Sequence, residues 1–231
     1  MRLYLSSFRL GDHSDTLLEL CSRDSSQPRA LMVSAAIDGI PAGDRDARVG
    51  EELDRLTGTG LAATELDLRE SLFRLPEPTV GPNQALREAV AGADLLWLRG
   101  GNVFALRHAL AVTGLDQLLL EVLADDSAVV GGYSAGPCVL GTHLRGLDAC
   151  DDATEVPRRF GVPARFDGLG VLDRPVVPHL DSPDHFESAV LERVAERHRT
   201  AGEEFIGLRD GDVLVTDGPI ATARLLPRKA C

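Results

Sequence analysis

The amino-acid sequence predicts an α/β fold with a mostly parallel, doubly wound sheet and helices on both of its faces. Two observations lead to this prediction. Short apolar runs alternate with amphipathic stretches along the chain, and several of these runs are apolar throughout, as strands buried on both faces are. We expect a single domain over residues 1–231, because no linker, repeat or low-complexity tract divides the chain.

The predicted strands are the short apolar runs, taken in chain order. They are residues 1–5, 30–36, 64–68, 94–98, 128–130, 175–178, 205–208 and 212–216. The last two are separated only by a turn at Asp210 and Gly211. We therefore expect them to form an antiparallel hairpin at the edge of the sheet.

The predicted helices have their apolar residues at helical spacing and begin or end at typical cap residues. In residues 46–56 the apolar side chains fall on one side, and Asn83 is a candidate N-cap for a helix through Ala91. Gly114 is a stop signal for a helix that starts at Val103. Further helices are expected at residues 115–124 and 184–199, whereas residues 148–166 are expected to be irregular.

The charge and composition exclude several classes of protein. With 24 Lys+Arg against 36 Asp+Glu, the net charge of −12 argues against a nucleic-acid-binding face, which needs clustered basic residues. No apolar run reaches the ~18 residues of a membrane span, and the N-terminus lacks the apolar core of a signal peptide. We expect a cytoplasmic protein with no membrane partner. The four cysteines show no CxxC spacing, so neither a metal nor another cofactor is expected.

The most informative motif is the sequence GYSAG at residues 132–136, directly after a predicted strand. It fits the G-x-S-x-G nucleophile elbow, in which a serine hydroxyl stands at a sharp strand-to-helix turn. Ser134 is then the candidate nucleophile, and the backbone N–H of Ala135 is a candidate donor to the oxyanion. The alternative is a glycine-rich turn in which Ser134 only caps the next helix.

A second glycine-rich turn, Gly100-Gly101-Asn102, follows the predicted strand at residues 94–98. In open α/β sheets, ligands bind outside the carboxyl ends of the strands. Two such turns at neighbouring strand ends bring two backbone N–H groups to one point, as an oxyanion hole requires. The alternative is an ordinary loop before a helix.

A nucleophilic serine needs a general base and a carboxylate that orients it. Among the histidines we favour His179, which directly follows the predicted strand at residues 175–178, over His185 at a helix start. Asp210 also lies just beyond a predicted strand and is the favoured acid. Asp181 and Asp184 are the alternatives, since they are close to His179 in sequence.

Four segments together resemble the peptidase E (aspartyl dipeptidase) family of serine peptidases, which includes cyanophycinase. They are LLWLRGGNVFAL (95–106), VVGGYSAGPCVL (129–140), PVVPHLDS (175–182) and FIGLRDGD (205–212). The resemblance implies a fold related to class I glutamine amidotransferases, flavodoxin-like in its layering. It also implies Ser134 as nucleophile, His179 as base, Asp210 as acid, and the backbone of Gly101 and Ala135 as oxyanion donors.

The expected function is therefore hydrolysis of short peptides, dipeptides in particular, through a Ser-His-Asp triad and an acyl-enzyme. The segment after His179 is short and acidic, and Arg193 is the nearest arginine on the following helix, so no strict preference for an N-terminal Asp is predicted. A small peptide is the expected partner, and a homodimer is left open. The alternatives are an α/β-hydrolase esterase and an inactive binding domain. Only 97 residues follow Ser134, and the acid follows the histidine, both of which argue against the esterase.

Overall fold

The fold is described from a computed structural model of the chain. The structure describes residues 1–23, 25–74, 82 and 84–229. The predicted N-cap Asn83 lies outside these residues.

A seven-stranded sheet forms the centre of the molecule. Its strands are β1 (Arg2–Ser6), β2 (Arg29–Val33), β3 (Ala62–Leu66), β4 (Leu95–Leu98), β5 (Val129–Tyr133), β8 (Val213–Asp217) and β9 (Arg224–Leu226), and two further short strands are β6 (Val176–Val177) and β7 (Ile206–Gly207). The strand order is β3-β2-β4-β5-β1-β8-β9. The first five are parallel neighbours, whereas β8 runs antiparallel to both β1 and β9.

Helices cover both faces of this sheet. They are α1 (Ser14–Cys21), α2 (Ala42–Gly58), α3 (Arg69–Arg74), α4 (Gln84–Val90), α5 (Val103–Thr113), α6 (Leu115–Asp125), α7 (Ala135–Leu140), α8 (Glu155–Phe160) and α9 (Ser188–Thr200). One core contains Leu96 and Leu98 of β4 with residues of α5, α6, α7 and α9. The other contains Trp97 with residues of α1 and α2. Alternate residues of β4 thus enter opposite cores, which is the doubly wound arrangement that the sequence predicts.

The predicted hairpin of the last two strands is wrong. β7 pairs in parallel with β6, and these two strands form a separate small sheet. β8 pairs instead with β1 and β9, so β9 is the edge strand. Two-residue strands carry too little periodicity to reveal their partners, and β1 lies more than 200 residues away in the sequence.

Other elements differ from the predictions by less. β3 begins two residues before the predicted strand, and residues 148–166 contain the short helix α8. Gly114 ends α5 in the left-handed conformation that the sequence predicts. Among the described residues no single helix is long and apolar enough to cross a membrane, although the bent pair α5 and α6 passes that test by length and composition.

Candidate functional site

Ser134 lies at a sharp turn between β5 and α7. Its φ of 52° and ψ of −104° are rare for a residue with a side chain, and such backbone strain is concentrated at functional sites. The Ser134 N–H donates to the carbonyl oxygen of Ser7 at 3.0 Å, which fixes the turn against the end of β1. Ala135 is the first residue of α7, so its N–H has no acceptor within its own helix.

The turn Gly100-Gly101-Asn102 packs directly against Ser134. A Cβ on Gly100 would lie 2.5 Å from the Tyr133 ring and 3.0 Å from Cβ of Ser134, so a larger residue would displace the serine. Gly101 has a φ of 141° and leaves no room for a Cβ, which would meet the Ala36 carbonyl oxygen at 2.6 Å. The Asn102 side chain caps α5 by accepting from the N–H groups of residues 104 and 105.

His179 and Asp210 are brought together at the end of the small β6–β7 sheet. Nδ1 of His179 lies 2.6 Å from Oδ1 of Asp210, and the imidazole is buried. Burial alone would raise the pKa of Asp210, but the hydrogen bond from His179 and the attraction of its positive charge hold that pKa below its usual range. Asp210 is therefore ionised at neutral pH and fixes the His179 tautomer with the proton on Nδ1.

Ser7 is a member of this group that sequence reasoning missed. Its hydroxyl donates to Oδ1 of Asp210 at 2.8 Å and accepts from the backbone N–H of His179 at the same distance. Ser182 supports the carboxylate from the other side, because its hydroxyl oxygen accepts from the N–H of Asp210. Ser7 directly follows β1, so the rule that functional side chains gather at strand ends could have found it.

The alternative base and acids of the sequence analysis lie around this group. The His185 ring stacks on the His179 ring, with centroids 3.6 Å apart and planes 3° apart. Asp181 is exposed, and its carboxylate pairs with Arg228 at 3.1 Å. Asp184 is exposed on the cavity wall. Arg193 is exposed on α9 and donates to a carbonyl of its own helix.

A cavity of about 840 Å³ opens above Ser134 and is called the Ser134 cavity below. Ser134, His179, Asp210 and the turn at residues 100–102 all line it. Its walls are charged, with Arg99 on one side and Asp151, Glu155 and Glu187 among the acidic residues. Phe186 is 88% exposed at its rim.

Two acidic residues of the Ser134 cavity, Asp151 and Glu187, have raised pKa values. Burial, with smaller contributions from the charges of Glu187 and Glu155, raises the pKa of Asp151 to about 7, against the hydrogen bond that Asp151 accepts from the Val103 N–H. Burial is also the main cause that raises the pKa of Glu187. A cation in this part of the cavity would relieve the repulsion between these carboxylates.

Cys138 lies one turn after Ser134 but does not face the cavity as a second nucleophile. It is 2% exposed, its thiol donates to the carbonyl oxygen of Val176, and burial raises its pKa well above the usual value. A thiol that stays protonated is a poor nucleophile.

Three side chains of the site carry atoms that bind metals in other proteins. The ligand atoms of His179, His185 and Glu187 all lie within 4.8 Å of one another. A metal ion lies in the plane of each imidazole that binds it, at about 2 Å from the nitrogen. Because the two rings are stacked 3.6 Å apart, one ring would have to turn before both could bind a single ion.

Comparisons with known proteins identify the family. The family model of peptidase family S51 matches residues 70–223, two thirds of the chain. An uncharacterized peptidase of Listeria innocua serovar 6a, Lin0382, is 27% identical over 127 residues, which are 52% of this chain. The chain spans 58% of the length of that relative.

Two solved structures share the fold. A crystal structure from Listeria monocytogenes EGD-e, of a protein provisionally named peptidase E, superposes with a TM-score of 0.70 at 19% identity, covering 99% of this chain and 98% of the other. A peptidase from an acI-B1 actinobacterium gives 0.66 at 19% identity, covering 99% and 95%. The fold is that of peptidase E structures, related to class I glutamine amidotransferases, and the chain belongs to peptidase family S51, a family of peptide-bond hydrolases.

Proposed function

We propose that this peptidase is a serine-type exopeptidase that hydrolyses dipeptides through Ser134, His179 and Asp210. One observation carries the proposal. Ser134, in a strained strand-to-helix turn, lines the same cavity as the buried His179. Nδ1 of His179 is hydrogen-bonded to the ionised carboxylate of Asp210. Nucleophile, base and orienting carboxylate are the three parts of a serine triad.

The first half-reaction forms an ester. The Ser134 hydroxyl attacks the carbonyl carbon of the peptide bond while Nε2 of His179 takes its proton. The resulting oxyanion accepts hydrogen bonds from the N–H groups of Gly101 and Ala135, where each donor is worth about 3–4 kcal/mol. The C–N bond then breaks, and His179 returns the proton to the leaving amine.

The second half-reaction is the hydrolysis of that ester. Water attacks the acyl carbon while His179 takes a proton from it, and the C–O bond to Ser134 breaks as the serine regains its proton. The products are two amino acids. Asp210 keeps its negative charge throughout and stabilises the imidazolium that forms in each half-reaction.

The two alternative functions are less well supported. The sheet order and the superposed structures belong to the peptidase E fold, so an esterase of the α/β-hydrolase fold has lost its structural basis. An inactive binding domain would not need the short His179–Asp210 contact or the strained serine. A strict preference for N-terminal Asp is not part of the proposal, since Arg193 lies outside the residues that line the Ser134 cavity.

The test is hydrolysis of a dipeptide library by the unmodified chain and by Ser134→Ala. We expect the substitution to lower kcat by at least about 10³-fold, because it removes the hydroxyl that forms the acyl-enzyme. A fluorophosphonate probe should label the unmodified chain at Ser134, with loss of fluoride, and leave Ser134→Ala unlabelled.

Ser26→Ala is the matched control, because Ser26 is exposed on the loop before β2. This variant should keep full activity and labelling. Equal turnover by the unmodified chain and Ser134→Ala would refute the serine mechanism. Dipeptide binding without turnover or labelling would instead support the binding domain.

A further inference from the structure

Among the charged residues that line the Ser134 cavity, the buried Arg99 and the half-buried acids Asp151 and Glu187 lie on different sides of the sheet, whereas Arg48 and Glu51 of α2 are exposed. Arg99 directly follows β4. It comes two residues after Trp97, which packs with residues of α2, so Arg99 lies on the same side of the sheet as α2. Asp151 and Glu187 lie on the other side, near the starts of α5 and α9. Ser134 adjoins both sides. Gly100, the neighbour of Arg99, packs against Ser134, and Asp151 and Glu187 line one small recess together with Ser134.

Arg99 is a buried cation that pairs with no acid among the residues that the structure describes. It is 9% exposed, its Nε has no hydrogen-bond partner in the part of the chain that the structure describes, and its Nη1 donates to the Gly100 carbonyl at 2.6 Å. The other buried arginines of the described chain are each paired with a carboxylate: Arg2 with Asp126, Arg45 with Asp38, and Arg107 with Asp167. A buried charge is costly unless it is paired, so the free guanidinium on the cavity wall indicates an anionic ligand.

A dipeptide carries opposite charges on the two sides of the bond that is cleaved. Its ammonium group is two bonds from the carbonyl carbon that Ser134 would attack, and its carboxylate is three bonds away on the other side. Consecutive Cα atoms are about 3.8 Å apart, so both charged ends must lie within several ångström of Ser134. Residues on opposite flanks of the serine are therefore placed to bind opposite ends of one substrate.

We infer that Arg99 binds the C-terminal carboxylate of the substrate, while Asp151 and Glu187 bind its free ammonium group. This inference rests on the proposed function and explains why the chain would act as an exopeptidase. The cavity accepts a zwitterion, and a peptide without a free carboxylate next to the cleaved bond leaves Arg99 unpaired. Arg99 is then a specificity-determining residue that discriminates dipeptides from their amides and from longer peptides.

The experiment compares kcat/KM for Ala-Ala, Ala-Ala-amide and N-acetyl-Ala-Ala. The unmodified chain should prefer Ala-Ala to the amide by about 10- to 100-fold, the range of a hydrogen-bonded charge pair. Arg99→Gln should reduce this ratio to below about 3-fold, and Arg99→Lys should restore part of it. Asp151→Asn should reduce the preference for Ala-Ala over its N-acetyl form without changing the amide ratio.

Arg193→Gln is the control, because Arg193 lies outside the cavity and its loss should leave both ratios unchanged. Fluorophosphonate labelling of Ser134 in each variant reports that the nucleophile is still in place. An unchanged amide ratio in a labelled Arg99→Gln variant overturns the inference and leaves the proposed function standing.

If the unmodified chain hydrolyses neither these peptides nor any member of the dipeptide library, the proposed function fails and the inference is tested by binding. Calorimetric titration of Ser134→Ala with Ala-Ala and with Ala-Ala-amide measures the same discrimination without chemistry. Preference for Ala-Ala that disappears on adding Arg99→Gln supports the inference. Equal affinity for the two peptides overturns it.

Discussion

At the scale of single residues, Asp210 and Ser7 act on His179 from one side. The Asp210 carboxylate accepts from both the imidazole Nδ1 and the Ser7 hydroxyl, and Ser7 also holds the His179 backbone. The imidazole is therefore fixed in its ring plane and in its tautomer, with Nε2 free to accept a proton. His185 adds a flat ring on one face, and burial lowers its pKa, so it is neutral at pH 7 beside a His179 that would become charged.

The change Asp210→Asn tests this arrangement directly. The asparagine amide donates to Nδ1 and so stabilises the tautomer with the proton on Nε2, which cannot accept the proton of Ser134. We expect kcat to fall by about 10³- to 10⁴-fold with little change in KM, as in serine peptidases of other folds. Asp181→Asn is the control and should keep activity within about 2-fold, since Asp181 is exposed and pairs with Arg228. Full activity in Asp210→Asn would assign the acid role to another residue.

At the scale of secondary-structure elements, local signals were predictable and long-range pairings were not. The strand, turn and helix around Ser134 are contiguous in sequence, so the glycines and the apolar run predicted them together. The pairing of β6 with β7 depends on two-residue strands about 30 residues apart, whose short runs have no period to read. Arg99 and Asp151 were not predicted, because an unpaired buried guanidinium and a carboxyl whose pKa is raised by burial are properties of the folded cavity alone.

A second long-range connection fixes the end of α9 to the loop after α7. Glu203, just beyond α9, accepts from Nε2 of His143 at 2.6 Å and from Nδ1 of His198 at 2.8 Å. These two hydrogen bonds lower the pKa of Glu203 from 4.5 to about 2. The ionised carboxylate therefore stabilises the fold at any pH above about 4.5, and this stabilisation is lost as the pH falls from 4.5 towards 2.

We expect Glu203→Gln to lower the free energy of unfolding by about 1 kcal/mol at pH 7, a modest value because a third of the Glu203 side chain is exposed. Urea unfolding at pH 7 and at pH 3 measures the effect, and the difference from the unmodified chain should narrow at pH 3. Glu196 is exposed on α9 and serves as the control. Glu196→Gln should change the free energy of unfolding by less than about 0.5 kcal/mol. An equal loss at both pH values would show that ionisation of Glu203 is not the cause.

At the scale of the whole molecule, the sheet order determines where the site forms. β4, β5 and β1 are adjacent and parallel, so the turns at Gly100, Ser134 and Ser7 that follow them meet at the carboxyl ends of these strands. His179 and Asp210, which follow β6 and β7 of the separate small sheet, lie at the same end of the central sheet. The whole chain has a net charge of −12. Its electrostatic field therefore acts on a charged substrate during the approach, before any residue contacts that substrate.

This field predicts how salt affects three dipeptides that differ only in net charge. Ala-Asp carries −1, Ala-Ala none and Ala-Lys +1 at pH 7.5, and the screening length falls from about 30 Å at 0.01 M salt to about 8 Å at 0.15 M. Added salt should raise kcat/KM for Ala-Asp, leave it nearly unchanged for Ala-Ala and lower it for Ala-Lys, each change about 2- to 5-fold. Initial rates at low substrate concentration in both buffers give these values, and Ala-Ala is the internal control for effects of salt on the enzyme itself. The opposite order, with Ala-Asp slowed by salt, would mean that Arg99 and the two other arginines that line the cavity, Arg9 and Arg48, outweigh the net charge of the molecule, because the nearest charges then dominate the approach.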